Sequence, residues 1–254
     1  MKTVILQQDI SWGNPVENHH RCETAFARQP EADLYVLPEM FSTGFCTNPK
    51  GIAEANNASL EWMKQQANLR NAAIAGSVAT EMDGQFYNRF YFVKPGGEVT
   101  YYDKKHLFTY GGEHLHFTPG EKRVVVEWRG VRILLEVCYD LRFPIWARNR
   151  GDYDMILYVA SWPTPRIEAW NALLIARAIE NQCYVAGVNR VGIDPSCEYC
   201  GGSVIIDPYG KTIAACQHGK VSEVSATIDM EKLELFRKKF PVLNDADSAN
   251  IIKE

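Results

Sequence analysis

Residues 131–144 read Val131-Arg-Ile-Leu-Leu-Glu-Val-Cys138-Tyr-Asp-Leu-Arg-Phe-Pro144 and combine an apolar run, a cysteine and a proline. The apolar run before the cysteine predicts a buried strand, and Pro144 suits the first turn of a helix. Cys138 therefore lies between a strand and a helix, near backbone N–H groups that can favour a thiolate and bind an oxyanion. A free cysteine commonly behaves as a small buried hydrophobe, so this segment alone allows either a structural residue or a nucleophile.

Strands and helices alternate on both sides of this segment. Apolar runs at 4–7, 34–37 and 72–78 predict buried strands, with helices at 15–28 and 60–69 between them. Pro95-Gly96-Gly97 and Arg129-Gly130 are turn sequences, which predict antiparallel hairpins. Further elements are a helix at 168–181 and strands at 155–159, 184–188, 203–206 and 221–228. We expect a mixed-sheet, layered α/β domain over residues 1–240, followed by a polar tail at 241–254.

Length and composition narrow the class of protein. The 254 residues are 46% hydrophobic and 23% charged, values typical of a globular chain with a sizeable core. The formal net charge of −4, with no long basic run, argues against a nucleic-acid partner. No stretch is apolar and long enough for a membrane span or a signal-peptide core, so a cytoplasmic protein without a membrane partner is expected.

The cysteines do not form a disulfide framework. Seven of them are scattered along a chain without an export signal, which predicts free thiols. Cys197 and Cys200 form a lone C-x-x-C pair, but a structural metal site would need a second pair of ligands. We expect no metal, and the sequence leaves open whether these two cysteines bind to anything.

Two further segments place charged side chains at strand ends. Glu39 follows Leu34-Tyr-Val-Leu-Pro, and Lys104 lies in Tyr102-Asp-Lys-Lys-His-Leu-Phe. With the cysteine segment they resemble, in order, the three motifs of the nitrilase, or carbon-nitrogen hydrolase, superfamily. The resemblance continues in Ala176-Arg-Ala-Ile-Glu-Asn181 and in Gly202-Ser-Val-Ile-Ile-Asp-Pro-Tyr-Gly210, and it covers nearly the whole chain through residue 228. Within the superfamily the chain is most similar to the omega-amidases, which hydrolyse the terminal amide of 2-oxo dicarboxylic monoamides such as 2-oxoglutaramate and 2-oxosuccinamate.

This resemblance implies a four-layer α-β-β-α sandwich with mixed sheets and an active site at the strand ends between the sheets. It implies Glu39 as general base, Lys104 as transition-state stabiliser, Cys138 as nucleophile and Glu113 as a second active-site glutamate, with no cofactor. Lys104 is chosen over Lys105 because the family lysine stands two residues before the histidine of the His-Leu pair.

The same resemblance implies an oxyanion site at the backbone N–H of Tyr139 and a homodimer or higher homo-oligomer acting on a small-molecule amide. Arg166, in the loop after the strand ending near residue 160, is a candidate to bind a substrate carboxylate, because arginine binds carboxylates in a bidentate manner. Trp162 in the same loop is a second candidate for substrate binding. A solvated first-turn arginine is the alternative for Arg166.

Other charged residues are expected to have structural roles. We expect His106 to hydrogen-bond nearby backbone. Ion pairs and hydrogen bonds of the scaffold are expected from Arg142, Arg177, Glu180 and Asn181. Glu136 lies two residues before Cys138, on the cysteine's side of the sheet if strand alternation holds, and a buried carboxylate there is costly unless paired. It could lie at the strand edge, pair with an arginine or perturb Cys138.

The sequence also allows three other functions. One is an N-carbamoyl-amino-acid hydrolase or aliphatic amidase of the same superfamily. Another is a cysteine-histidine hydrolase that uses His106. The third is a catalytically silent binding protein, which the complete set of Glu39, Lys104 and Cys138 disfavours.

Overall fold

The computed structural model describes residues 1–247, and its strands form two six-stranded sheets and one two-stranded hairpin. The strands are β1 (Lys2–Gln7), β2 (Leu34–Val36), β3 (Ala73–Met82), β4 (Gln85–Val93), β5 (Val99–Asp103), β6 (Val125–Trp128), β7 (Val131–Val137), β8 (Met155–Ala160), β9 (Tyr184–Asn189), β10 (Val191–Ile193), β11 (Glu198–Cys200), β12 (Val204–Ile206), β13 (Thr212–Ala215) and β14 (Ser222–Thr227). The α-helices are α1 (Pro15–Arg28), α2 (Ala58–Arg70), α3 (Pro144–Ala147), α4 (Ile167–Glu180) and α5 (Met230–Lys239).

Both large sheets are mixed. The first has the order β14-β1-β2-β3-β4-β5 and the second β13-β12-β9-β8-β7-β6. Parallel pairing joins β1 to β2, β2 to β3, β7 to β8 and β8 to β9, whereas the hairpins β3-β4, β4-β5 and β6-β7 are antiparallel. The predicted mixed sheets and the hairpin turns are therefore confirmed.

The two sheets pack face to face, and helices cover their outer faces. In β7, Leu135 faces the core between the sheets, while Leu134 faces the layer that contains Leu174 of α4. On the other side, Phe26 of α1 and Trp62 of α2 pack on the first sheet. Strands buried on both faces have continuous apolar runs because neither face meets water. This arrangement confirms the four-layer α-β-β-α sandwich.

Four elements were not predicted from the sequence. The hairpin of β10 and β11, and the edge strand β13, are too short and irregular to show a period. Helix α5 begins where the Asp229 side chain accepts a hydrogen bond from the Lys232 N–H, and only Leu233 of this helix is buried. Its apolar residues Met230, Leu233 and Phe236 recur every three residues, but over ten residues this pattern is too short to distinguish a helix from its polar surroundings.

The C-terminal boundary stays a prediction. A short 3-10 turn at Val242–Asp245 lies in the predicted tail, and residues 248–254 of that tail lie outside the described residues. Within residues 1–247, no helix has both the length and the apolar character that a bilayer crossing requires.

Candidate active site

The predicted site residues meet at the ends of strands that belong to different sheets. Glu39 follows β2 and Lys104 follows β5 in the first sheet, whereas Cys138 follows β7 and Ser161 follows β8 in the second. Because the parallel strands β7 and β8 end at the same edge of their sheet, the residues after them are neighbours. Glu113 joins this group from a 3-10 turn at Glu113–Leu115.

Lys104 lies between two carboxylates and is inaccessible to solvent. Its Nζ donates to Glu39 Oε1 at 3.0 Å and to Glu113 Oε2 at 2.9 Å, and all three side chains are buried. Burial lowers the pKa of Lys104, but the Glu113 and Glu39 carboxylates outweigh burial and raise this pKa above its ordinary value. The adjacent Lys105 has another environment, because its Nζ lies 5.5 Å from the centre of the Trp146 ring. Lys104 is therefore the lysine that faces the glutamates and carries a permanent positive charge.

Glu39 is fixed by hydrogen bonds to both of its oxygens. Oε1 also accepts from Asn88 Nδ2 at 2.7 Å, and Oε2 accepts from the Ser161 N–H at 2.8 Å. Asn88 also donates to Glu113 Oε1 at 3.2 Å, so one amide holds both glutamates. These bonds fix the carboxylate of Glu39 in one orientation.

Glu113 has a second anchor in the backbone. The Phe108 N–H donates to Glu113 Oε2 at 2.6 Å. Burial raises the pKa of Glu113, the Lys104 ammonium lowers it, and the Glu39 carboxylate raises it again. The two glutamates thus share one cation. As a result, Glu113 binds a proton more readily than a solvated glutamate does.

Cys138 begins a strained turn that lies between β7 and α3. Its φ is +46°, in the left-handed region that a side chain disfavours, and a 3-10 turn at Cys138–Arg142 begins with it. The turn is held by Asp140, whose Oδ2 accepts from the Val137 N–H at 3.0 Å. Strand alternation therefore ends before Cys138, and the turn directs the sulfur to the site rather than into a sheet face.

The thiol of Cys138 is neutral in the resting site. The residue keeps some exposure to the pocket, yet its thiol lies deep enough that burial raises its pKa well above the usual value. The Glu39 carboxylate raises this pKa further, while the Lys104 ammonium and the Ser161 N–H lower it. A neutral thiol requires a base at the moment of attack, and the Glu39 carboxylate lies beside it.

His106 contacts Asp140. Its backbone N–H and its Nδ1 lie 2.9 and 2.7 Å from Asp140 Oδ1, and its ring stacks on Phe143 with a centroid distance of 3.9 Å. The prediction of a structural histidine agrees with this environment, but the predicted backbone partner is wrong. The Asp140 carboxylate is the partner instead of a backbone oxygen. Its Oδ1 contacts His106, which follows β5, and its Oδ2 accepts from the Val137 N–H at the end of β7.

Tyr139 lies in the first turn after Cys138. Amides in a first turn have no acceptor within their own helix, so the Tyr139 N–H is available to a ligand. The Tyr139 ring meets Phe108 and Phe143 edge-on, at centroid distances of 5.2 and 5.1 Å. These contacts fix the backbone around the amide.

A pocket opens from Cys138 to the surface. It contains five residues predicted to belong to the site, namely Lys104, Cys138, Tyr139, Trp162 and Arg166. The other lining residues were not predicted as site residues; they are Phe45, Phe108, Arg142, Ser161, Pro163, Cys197 and Tyr199. Most of the lining is thus apolar or aromatic, with cations placed among it.

Some of the missed residues have a signal in the sequence and others do not. Asn88 is a buried polar residue within the aromatic strand β4, which indicates a specific partner in the interior. Ser161 contributes a backbone N–H, and a backbone group carries no residue-type signal. Cys197 and Tyr199 reach the pocket through the β10–β11 hairpin, which the sequence did not predict. Cys197 and Cys200 are both free thiols.

The scaffold predictions hold for three residues and fail for one. Arg177 Nη1 donates to Glu180 Oε1 at 2.9 Å, and Asn181 Oδ1 accepts from the Asn149 N–H at 2.9 Å. Arg142 is different, since it makes no ion pair within residues 1–247 and lines the pocket instead. The prediction for Arg142 is wrong because the 3-10 turn points its side chain outward, over the Trp162 ring.

Glu136 is buried in the interior and does not lie at a strand edge. It faces the α4 side of β7, and neither carboxylate oxygen has a hydrogen-bond partner within residues 1–247. Burial raises the pKa of Glu136 well above its usual value, Asp140 raises it further, and Arg123 and Arg177 lower it. Burial and Asp140 thus favour the protonated form of Glu136 more than in a solvated glutamate. Of the three possibilities that the sequence left open, the strand edge is excluded, and within residues 1–247 no arginine is hydrogen-bonded to this carboxylate.

The chain is similar to known proteins over nearly its whole length. A model of the carbon-nitrogen hydrolase family matches residues 4–238. The chain is 48% identical over 253 residues to the Omega-amidase YafV of Escherichia coli, covering 97% of each chain. It is 38% identical to a 2-oxoglutaramate amidase of Bacillus subtilis, covering 94% of this chain and 95% of the relative.

Solved structures show the same fold. A CN-hydrolase superfamily protein of Xanthomonas campestris, which carries an arsenic adduct in its active site, superposes with a TM-score of 0.94 at 39% identity. The match covers 98% of this chain and 97% of that one.

Proposed function

The chain belongs to the carbon-nitrogen hydrolase family, and we propose that it is an omega-amidase that hydrolyses the terminal amide of a 2-oxo dicarboxylic monoamide to the acid and ammonia. The resemblance carried by the sequence motifs is thereby confirmed. The observation that carries the proposed reaction is the buried Lys104, held by Glu39 and Glu113 at the wall of the pocket that contains Cys138. Two relatives, named as an omega-amidase and a 2-oxoglutaramate amidase, support the substrate class.

In the first half-reaction, Glu39 accepts the Cys138 proton as the sulfur attacks the amide carbonyl carbon. The carbonyl oxygen becomes an oxyanion, which Lys104 and the Tyr139 N–H stabilise. Each such donor can contribute about 3 to 4 kcal/mol to transition-state stabilisation. The C–N bond then breaks, the nitrogen takes the proton from Glu39 and leaves as ammonia, and a thioester on Cys138 remains.

In the second half-reaction, Glu39 takes a proton from a water molecule as that water attacks the thioester carbonyl. The same oxyanion donors serve again, and the C–S bond breaks to release the acid. Glu39 returns its proton to the thiolate, which regenerates the starting site. The fixed orientation of Glu39 suits this double use, because the carboxylate must address the sulfur and the water in turn.

Arg166 is proposed to bind the substrate carboxylate. It lines the pocket, and its guanidinium carbon lies 5.3 Å from the centre of the Phe108 ring. Stacking on an aromatic face leaves the edge N–H groups of a guanidinium available to a carboxylate. We also propose that the protein is a homodimer or higher homo-oligomer of the cytoplasm without a nucleic-acid partner.

A screen for ammonia release tests this function. The purified chain is assayed with 2-oxoglutaramate, 2-oxosuccinamate, butanamide, asparagine and N-carbamoyl-β-alanine at equal concentrations. We expect the two 2-oxo amides to have the highest kcat/KM. Carbon dioxide release from the carbamoyl compound would indicate an N-carbamoyl-amino-acid hydrolase. Preference for butanamide would indicate an aliphatic amidase. The absence of ammonia release from every amide would indicate a silent binding protein.

A further inference from the structure

The pocket carries one positive charge more than the proposed chemistry uses, namely that of Arg142. Of the described residues that line it, none is Asp or Glu, while three are cations, namely Lys104, Arg142 and Arg166. The charge of Lys104 is balanced by its two glutamates. Neither arginine has a carboxylate partner anywhere within residues 1–247. The pocket therefore presents two positive charges that a bound anion can neutralise.

We propose that Arg142 is a second specificity-determining residue and that it binds the 2-oxo acid end of the substrate together with Arg166. This proposal rests on the proposed function and extends it to a residue for which the sequence predicted only a scaffold role.

Arg142 is held in place from both ends. Its backbone closes the 3-10 turn that begins with Cys138 and is held by Asp140, so its Cα is fixed relative to the sulfur. Its guanidinium carbon lies 4.9 Å from the centre of the Trp162 ring. The side chain is exposed at the mouth of the pocket. A stacked guanidinium at this place loses little further rotamer freedom when it binds an anion.

Trp162 links the two arginines. It is buried, and its backbone N–H donates to Asn189 Oδ1 at 2.7 Å. Its indole Nε1 donates to the backbone oxygen of Arg166 at 2.7 Å. Trp162 thus stacks on the guanidinium of Arg142 and also fixes the backbone of Arg166. Both cations are positioned by one rigid aromatic side chain.

The chemistry of a 2-oxo acid suits two guanidinium groups. Its carboxylate and its neighbouring carbonyl present three acceptor oxygens. One guanidinium can bind the carboxylate through two parallel N–H···O bonds, and a second can donate to the remaining oxygen. An amide that lacks this end gains nothing from either arginine. The pair therefore selects for anionic 2-oxo amides and against uncharged amides of similar length.

The first test measures steady-state kinetics of Arg142→Leu, Arg166→Leu and the double variant, with 2-oxoglutaramate and butanamide as substrates. Arg150→Leu is the matched control, because Arg150 is exposed on a neighbouring loop and does not line the pocket. We expect Arg142→Leu to lower kcat/KM for 2-oxoglutaramate by about 10 to 100-fold, mainly through KM, and to change that for butanamide by less than about 3-fold. An equal loss with both substrates, or no loss with 2-oxoglutaramate, would overturn the role of Arg142.

The second test does not depend on turnover. Alkylation of Cys138 by iodoacetate, an anion, and by iodoacetamide, a neutral reagent of similar size, is followed by peptide mass analysis. We expect the rate with iodoacetate divided by the rate with iodoacetamide to fall by at least about 3-fold in Arg142→Leu, because one cation near the path of the anion is lost. The ratio should be unchanged in Arg150→Leu.

The two tests separate the possible failures. If wild type hydrolyses 2-oxo amides but Arg142→Leu changes neither the kinetics nor the alkylation ratio, the proposal for Arg142 is wrong and the proposed function stands. If wild type hydrolyses no 2-oxo amide, the proposed function is wrong, and the alkylation ratio still shows whether Arg142 attracts anions into the pocket. An unchanged ratio would then reject that role also.

Discussion

The carboxylate of Glu39 accepts a 2.8 Å hydrogen bond from the backbone N–H of Ser161, a residue 122 positions later in the chain. Glu39 follows a strand of the first sheet, and Ser161 follows a strand of the second. The bond therefore joins the ends of the two sheets at the point where Cys138 emerges. The relative position of the Glu39 carboxylate and the Cys138 sulfur, the proposed base and nucleophile, is thus set by how the two sheets pack.

Glu39→Gln should remove the base while keeping the shape of the side chain. The carbonyl oxygen of glutamine can still accept from the Ser161 N–H, but its NH₂ group then faces the donors Asn88 and Lys104. Lys104 retains Glu113 as its counterion. We expect ammonia release to fall by at least about 100-fold, the usual effect of losing a general base, in a protein that still folds but has a lower melting temperature. Activity within a few-fold of wild type would mean that another group takes the thiol proton.

The adjacent lysines give a matched pair of variants. Lys104→Met should reduce kcat by several orders of magnitude and lower stability by about 3 to 5 kcal/mol, because it leaves two buried carboxylates without their cation. Lys105→Met should change little, since Lys105 lies over the Trp146 ring and contacts neither glutamate. Rates and urea midpoints of both variants test this. The opposite ranking would show that the register is displaced by one residue.

The sequence predicted the sheets and the charged residues well because both leave a local pattern. Buried strands such as β7 show as apolar runs, and Glu39, Lys104 and Cys138 follow strand ends. The Ser161 N–H leaves no such pattern because it is a backbone group. The direction of Arg142 leaves none because its side chain lies over the ring of Trp162, a residue on another strand end. Contacts between distant segments, such as Asn88 to both glutamates, arise only after the sheets have packed.

His106→Gln tests the cysteine-histidine alternative. In the structure His106 is hydrogen-bonded to Asp140 and stacked on Phe143, so its loss should weaken the turn and leave the base in place. We expect kcat to stay within about tenfold of wild type, below the 100-fold or greater effect of removing an acid-base group. The pH-rate profile should keep its shape. A loss as large as that of Glu39→Gln would make His106 the base.

Glu136→Gln should stabilise the protein in a pH-dependent way. Because the folded-state pKa of Glu136 is raised above its unfolded value, the wild type loses stability as pH rises above about 4.3, the ordinary value for glutamate. A glutamine has no proton to lose, so the melting-temperature difference between the variant and wild type should widen in the variant's favour from pH 5 to pH 8. A difference that stays constant over this range would show that Glu136 titrates normally.

Ammonia release from 2-oxoglutaramate by Cys138→Ala, with Cys197→Ser as the matched control, tests whether the reaction passes through the sulfur of Cys138. Cys197 is the other cysteine that lines the pocket, and no role in the reaction is assigned to it. We expect no ammonia above background from Cys138→Ala, with folding intact by circular dichroism, and near-wild-type rates from Cys197→Ser. Sustained ammonia release by a folded Cys138→Ala would contradict the thioester route.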